Sequence, residues 1–229
     1  MGKLYDVIIV GAGPAGIFTA LELTRNRPDL KILMIEKGRE LGKRVCEARE
    51  RNASCFNCSP CSTICGWGGA GAFSDGKLTL STEVGGSLEQ YISEKHLAEL
   101  IDYIDRIYIN FGAPEQVYGL EDEVEIEAMK RRAILAELKL VPVRIRHMGT
   151  GRCQDVLQRM HDHLASRGVE VRTSCQVEEI LVRDNQARGI TCQDGKTIEA
   201  GFVVLAPGRE GAEWLGREAR RIGLENTIN

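Results

Sequence analysis

The chain has 229 residues, 43% of them hydrophobic, with 30 Lys and Arg against 33 Asp and Glu for a formal net charge of −3. That is enough apolar material for one domain, or one with an inserted lobe. The near balance of charge leaves no electrostatic case for a nucleic-acid or membrane-surface partner, and collagen, coiled coil and wholesale disorder are excluded by composition.

At the start of the chain, Asp6 stands where a myristoylation motif needs Ser or Thr. The apolar stretch over residues 7–21 is broken by Pro14 and followed by Glu22 and Arg25 without a small-residue cleavage site, so it does not read as a secretion signal. No stretch approaches the roughly 18 apolar residues of a membrane span. A cytoplasmic setting is expected, where closely spaced cysteines point to metal or redox chemistry more than to structural disulfides.

Residues 4–10 (LYDVIIV) are a short apolar run rich in β-branched side chains, the pattern of a strand buried on both faces of a parallel sheet. The run enters Gly11-Ala12-Gly13-Pro14-Ala15-Gly16. Ile17, Ala20, Leu21 and Thr24 then keep helical spacing up to Arg27-Pro28, where the residue before proline disfavours α geometry. A second strand over 31–35 delivers Glu36 and completes a βαβ opening. Residues 46–86, dense in Cys, Gly and Ser without a sustained period, read as a long ordered loop. From Leu88 the pattern turns helical, with Leu97, Leu100, Ile101, Ile104, Ile107, Tyr108 and Phe111 on one stripe and Gly112 and Pro114 as its stop.

A second helix is predicted over 121–138, acidic at Glu121, Asp122 and Glu123 and basic at Lys130, Arg131 and Arg132, as the helix dipole favours. Residues 141–145 read as a strand returning to the main sheet. Residues 151–167 read as a helix with Cys153, Val156, Leu157, Met160 and Leu164 on its buried stripe and Gly168 as its stop. Runs over 169–172, 176–183, 187–193 and 197–200 predict a strand followed by an antiparallel meander, with reversals at Asp184-Asn185 and Asp194-Gly195. A further buried strand is predicted over 202–206, ending at Pro207-Gly208.

Gly11-x-Gly13-x-x-Gly16 is a weak motif alone. Here it follows a strand and opens a helix, and Glu36 lies 20 positions after Gly16 at the end of the next strand, the context of a dinucleotide-binding turn. Gly11 permits the tight turn, Gly13 the approach of a pyrophosphate, and Gly16 close helix–sheet packing, while the helix start supplies free N–H groups for an anion. Pro14 gives up an N–H that has no intrahelical partner. Glu36 suits ribose hydroxyls and repels a 2′-phosphate, which argues against NADP. Gly66-Trp67-Gly68-Gly69-Ala70-Gly71 fits the same spacing but follows a cysteine loop and precedes no amphipathic helix, so it is read as a place of close backbone approach.

Residues 6–16 with Glu36 and Lys37 resemble the N-terminal FAD-binding segment of the glutathione-reductase-like flavoprotein superfamily. Residues 39–44, with Gly42 and Arg44, are similar to the short Gly/Arg motif that follows it there. Val177 lies where such proteins place a backbone contact to adenine, and residues 203–209, with Ala206 and Gly208, are similar to their second motif near the cofactor. More narrowly, residues 58–80 and Arg146-His147-Met148-Gly149-Thr150 resemble a family of FAD-dependent dehydrogenases. The resemblance implies an α/β fold: a Rossmann-like FAD-binding parallel sheet with a β-meander and an inserted helical lobe. The expected domains are 1–86 with 141–229 for FAD and 87–140 for the lobe. It also implies a cofactor set of Gly11, Gly13, Pro14, Ala15, Gly16, Glu36, Lys37, Gly42, Arg44, Val177, Ala206 and Gly208. Such proteins run well past 229 residues and carry a late Gly-Asp motif, so this chain is expected to be part of a longer protein.

Cys55, Cys58, Cys61 and Cys65 make C-x2-C-x2-C-x3-C, the spacing of bacterial iron–sulfur ligation, although Gly66 follows where those proteins have proline. Metal or cluster ligands, redox thiols and structural cysteines all remain open uses. Cys46 is placed like the first thiol of flavin disulfide reductases, but Arg51 occupies the partner position. His147, Lys77 and Asp75 are the catalytic candidates, and Arg144, Arg146 and Arg152 could bind an anion or form a solvated basic face. The expected function is that of an FAD-dependent oxidoreductase acting on an unknown small-molecule substrate or electron carrier. The alternatives are a flavin-coupled thiol-disulfide or iron–sulfur electron-transfer protein and a non-catalytic dinucleotide-binding fragment.

Overall fold

The structure is a computed structural model that describes residues 4–119 and 122–225, Thr150 by its backbone only. In chain order the principal elements are β1 (Tyr5–Val10), α1 (Pro14–Asn26), β2 (Ile32–Ile35), α2 (Glu47–Glu50), β3 (Lys77–Thr79), α3 (Glu94–Asn110) and α4 (Glu123–Leu135). They continue with β4 (Ile145–His147), α5 (Thr150–Ser166), β5 (Glu170–Arg172), β6 (Val177–Arg183), β7 (Gln186–Cys192), β8 (Thr197–Leu205) and α6 (Ala212–Arg221). Two compact units result, Met1–Phe73 with Leu157–Asn229, and Ser74–Val156; the lobe expected at 87–140 falls inside the second. Glu121, the expected start of the second lobe helix, and Asn226 to Asn229 lie outside the described residues.

The first unit is built on a six-stranded sheet in the order β5-β2-β1-β8-β7-β6. β5, β2, β1 and β8 run parallel, and β6 and β7 add an antiparallel meander. Every residue of β2 and all of β1 except Asp6 is buried, as uninterrupted apolar strands at the centre of a parallel sheet should be. α1 buries Gly16, Ile17, Ala20, Leu21 and Thr24, and ends at Arg27 before Pro28. Cys153, Val156, Leu157, Met160 and Leu164 of α5 are buried at helical spacing.

Two strand expectations are corrected. The runs over 197–200 and 202–206 are one nine-residue strand: β8 pairs with β7 through Thr197 to Glu199 and with β1 from Ala200 to Leu205. The ladder with β1, which starts at Ala200 and resumes at Phe202, carries it through Gly201 without a break. Nor is its second half fully buried, since Phe202 is 73% exposed. The strand predicted at 141–145 does not return to the main sheet, where both edges of β1 are taken by β2 and β8 and the far edge of β2 by β5. Of that run only Ile145 is in a strand, β4, which pairs antiparallel with β3 and is bridged to Tyr118 at Ile145.

In the second unit the α3 stripe is only half-buried, and the residue that α3 buries is Asp105. Its carboxylate takes a two-pronged bond from Arg146 at 2.5 and 2.7 Å, and Arg146 also donates to the Pro114 carbonyl. Arg146 is therefore a buried tie of this unit, neither an anion site nor a solvated face. Ser93 caps α3 and Asp122 caps α4 by accepting from backbone N–H groups in the first turn.

Candidate functional site

The glycines after β1 divide by what surrounds them. A Cβ at Gly11, where φ is +106°, would sit 2.1 Å from the Ala206 carbonyl oxygen, and one at Gly16 would sit 2.0 Å from that of Gly11. Strand, helix and the exit of β8 are thus packed backbone to backbone, which only glycine allows. Gly13 is different: a Cβ there meets nothing within 4 Å. Gly13 is also the N-cap of α1 and supplies no side-chain acceptor to the first turn, with Pro14 next and Ala15 following. The result is an open, electropositive helix start at the carboxyl edge of a parallel sheet.

Glu36 leaves β2 beside this loop and is only 7% exposed. Its Oε2 accepts from Ala12 N at 2.9 Å, and its Oε1 accepts from Gly38 N at 2.8 Å and Gly66 N at 2.9 Å. One carboxylate therefore ties together the first glycine loop, the turn after β2 and the second glycine run. Oε2 keeps a lone pair for a further donor. The second run docks on the first: Gly68 N donates to the Ala12 carbonyl at 2.8 Å, and a Cβ at Gly69 would lie 3.2 Å from Gly13 Cα. Trp67 is fully buried, donates its ring N–H to the Leu157 carbonyl at 2.8 Å and meets His161 edge to face.

Arg44 holds the cysteine loop. Its guanidinium is buried and donates to the carbonyls of Ser62, Thr63 and Trp67 at 3.0, 2.9 and 2.7 Å, with the Phe73 ring 4.8 Å away. Burial lowers its pKa, and the charge of Glu36 opposes that shift. Lys37 is ion-paired with Glu210. Gly42 is exposed in a short turn over Leu41–Lys43. Ala206 N donates to the Val10 carbonyl at 2.8 Å, and Gly208, at φ +64°, starts the turn into α6. Val177 is buried at the start of β6, paired with Cys192. The carboxyl ends of β1, β2 and β8 thus bring Gly11 to Gly16, Glu36, Lys37 and Ala206 to Gly208 to one edge, with β2 on one side of β1 and β8 on the other.

The four cysteines are not gathered. Cys55 and Cys58 are exposed and Cys61 is half-buried, while Cys65 is buried beside Gly38, whose Cβ would meet the Cys65 carbonyl carbon at 2.4 Å. Among the described residues, no group of three or more His, Cys, Asp or Glu side chains is arranged to hold a metal ion. Burial raises the Cys65 pKa, whereas a backbone N–H bond from Arg49 lowers that of Cys46. In the second unit Asp75, Lys77 and His147 come together: Lys77 is the cross-strand partner of His147 and bonds Asp75 at 2.7 Å, which holds the Asp75 carboxyl below its ordinary range. All three are exposed.

Residues 6–225 match the family described as FAD dependent oxidoreductase. The chain belongs to that family. FAD is the family's cofactor, and the open start of α1, Glu36 and the exit of β8 are groups that fit a dinucleotide. This chain is 30% identical over 215 residues to an uncharacterized protein of Clostridium beijerinckii, covering 92% of this chain and 33% of that one. Its fold is that of L-proline dehydrogenase from P. horikoshii, with a TM-score of 0.55 at 14% identity over 100% of this chain and 58% of that one. Glycine oxidase from Geobacillus kaustophilus gives a TM-score of 0.52 at 18% identity over 97% and 59%. The chain thus spans about a third of the Clostridium relative and under three-fifths of the two solved structures. None of its described helices is long and apolar enough to cross a membrane.

Proposed function

We propose that this chain carries the FAD site of an oxidoreductase, with the pyrophosphate over Gly13 and the first turn of α1 and the adenosine ribose at Glu36. When bound, FAD supplies the hydride or electron transfer; the chain's part is to hold and orient it. The backbone N–H groups at the start of α1 face the anion, and Oε2 of Glu36 accepts from a ribose hydroxyl with its remaining lone pair. Lys37, Gly42, Val177, Ala206 and Gly208 complete the expected contact set. Arg44 is a positioning residue in this reading, because its donors hold the Ser62 to Trp67 loop that carries Gly66 to Glu36. The reaction partner is a small-molecule substrate or electron carrier, and the setting is cytoplasmic. Asp75, Lys77 and His147 remain the candidates for proton transfer.

The observation that carries the proposal is the contrast among the three glycines: Gly11 and Gly16 are filled by the protein's own backbone and Gly13 is open. Gly13→Val should therefore leave the fold intact, since φ there is −79°, while blocking the pyrophosphate. FAD binding, followed by quenching of flavin fluorescence, should weaken by at least about a hundredfold, with an unchanged thermal midpoint. A Gly13→Val chain that binds FAD as the parent does would overturn the assignment.

A further inference from the structure

Cys175 and Cys192 lie outside the cysteine-rich loop and outside the glycine site. Cys175 precedes β6 and Cys192 ends β7, so the ladder that pairs Val177 with Cys192 brings the two together. Their sulfurs are 3.5 Å apart, against about 2.0 Å in a disulfide bond. The surrounding backbone is anchored: Cys175 N donates to the Glu36 carbonyl at 3.0 Å, Gln193 N to that of Gln176 at 2.9 Å and Cys192 N to that of Lys196 at 2.8 Å. Both cysteines line a cavity of about 420 Å³ together with Tyr5, Arg172, Asp194 and Lys196. Cys175 is half-buried and Cys192 buried, so the two sulfurs differ in their access to solvent.

We propose that Cys175 and Cys192 are a redox-active dithiol, oxidised to an intrachain disulfide by a low-molecular-weight disulfide that enters this cavity. The Cys175 thiolate attacks one sulfur of the small disulfide. A mixed disulfide forms on Cys175, the small S–S bond breaks, and the first small thiolate leaves and takes up a proton. Cys192 then loses its proton and attacks the Cys175 sulfur, forming the intrachain bond and releasing the second small thiolate, which is protonated in turn. Two protein thiols lose two electrons and one small disulfide gains them, giving two small thiols.

The order of attack follows from the surroundings. Cys175, the more accessible of the two, lines the cavity beside the cations Arg172 and Lys196, so an incoming small disulfide meets it first. Burial and the neighbouring Cys175 push the Cys192 thiol up to about 12. Capping the Cys175 sulfur removes the part of that rise owed to Cys175 and leaves the part owed to burial, while the 3.5 Å separation keeps Cys192 next to the sulfur it must attack. Two apolar packing residues would share the distance between sulfurs but would not need the cavity, the cations or the unequal access.

The test uses the whole chain, reduced and then exposed to oxidised glutathione, with free thiols trapped by alkylation and each cysteine read by peptide mass. The expected result is a Cys175–Cys192 linked peptide that forms in the wild-type chain. Cys192→Ser should stop at a glutathione adduct on Cys175, and Cys175→Ser should slow modification of Cys192 at least about tenfold. The proposal is overturned if both cysteines are recovered as alkylated thiols while exposed Cys55 and Cys58 are oxidised. It is overturned equally if the wild-type chain accumulates an unresolved adduct on Cys175, or if Cys175 links elsewhere. The wild-type masses decide the matter even if a variant fails to fold, and they require no flavin.

Discussion

Glu36 serves the protein before it serves a ligand. Three backbone N–H groups, up to 30 residues from it in the chain, converge on its carboxylate. Hydrogen bonds to a buried charge contribute about 1.5 to 3 kcal/mol each, less when water can replace the acceptor. Glu36→Ala should therefore cost about 3 kcal/mol or more in urea unfolding. Glu36→Gln, which keeps one oxygen acceptor but turns an amide toward one of the donors, should cost less. Equal stability of the parent and both variants would refute this role. At Cys192 the expected readout is pH. Its folded-state pKa, about 12, lies above the ordinary 9.0 of a thiol. The folded chain thus holds this proton more tightly than the unfolded one, and the stability it contributes is whole below pH 9 and drains away between pH 9 and 12. Under reducing conditions, unfolding midpoints should fall across that interval. Cys192→Ala should flatten part of the fall, the rest belonging to groups such as Cys65 and Cys153 that burial shifts the same way.

α3 illustrates how an element's pattern can mislead about its burial. Its apolar stripe is real, yet the side chain it buries is Asp105, because Arg146 from β4 requires a carboxylate there. Removing one partner of a buried ion pair strands the other and typically costs 3 to 5 kcal/mol, whereas replacing both with apolar side chains can be nearly neutral. Arg146→Met should accordingly lower the unfolding free energy of the Ser74–Val156 unit by about 3 kcal/mol or more. The double variant Arg146→Met with Asp105→Leu should recover most of it. A double variant less stable than the single one would show that the pair is not the tie inferred here. β8 illustrates the converse, since a glycine that looks like a break in the chain is carried through by the ladder with β1.

Across the first unit, the sheet order sets which loops meet. With β2 on one side of β1 and β8 on the other, Gly11 to Gly16, Glu36 and Ala206 to Gly208 leave the carboxyl edge as neighbours. A ligand laid across that edge contacts segments that are nearly 200 residues apart in the chain. The glycines then predict two kinds of failure. Gly11→Ala and Gly16→Ala place a Cβ within about 2.1 Å of backbone oxygen and should lower both the thermal midpoint and FAD binding. Gly13→Val should lower FAD binding alone. Identical behaviour of the three variants in parallel melting and flavin titrations would show that the site does not have the division of labour assigned to it.

Local order accounts for what could be read along the chain. The βαβ opening, the buried stripes of α1 and α5, the glycine spacing with Glu36 and the reversals of the meander all depend on neighbours within a few turns or on a strand's own run of side chains, so residue order displays them. The ties of Arg44 to Ser62, Thr63 and Trp67, of Trp67 to Leu157, of Arg146 to Asp105 and of Cys175 to Cys192 join positions 17 to 90 residues apart. The entropy of closing such loops grows only slowly with their length, so spacing does not mark the partner. Packing chooses it: a buried guanidinium takes whichever carbonyls the fold brings within reach, and a strand pairs with whichever edge is still vacant. For that reason the glycine motif could be read from residue order, while Glu36 as a three-way tie, β3 as the partner of β4 and the neighbouring thiols of Cys175 and Cys192 emerged only with the folded chain.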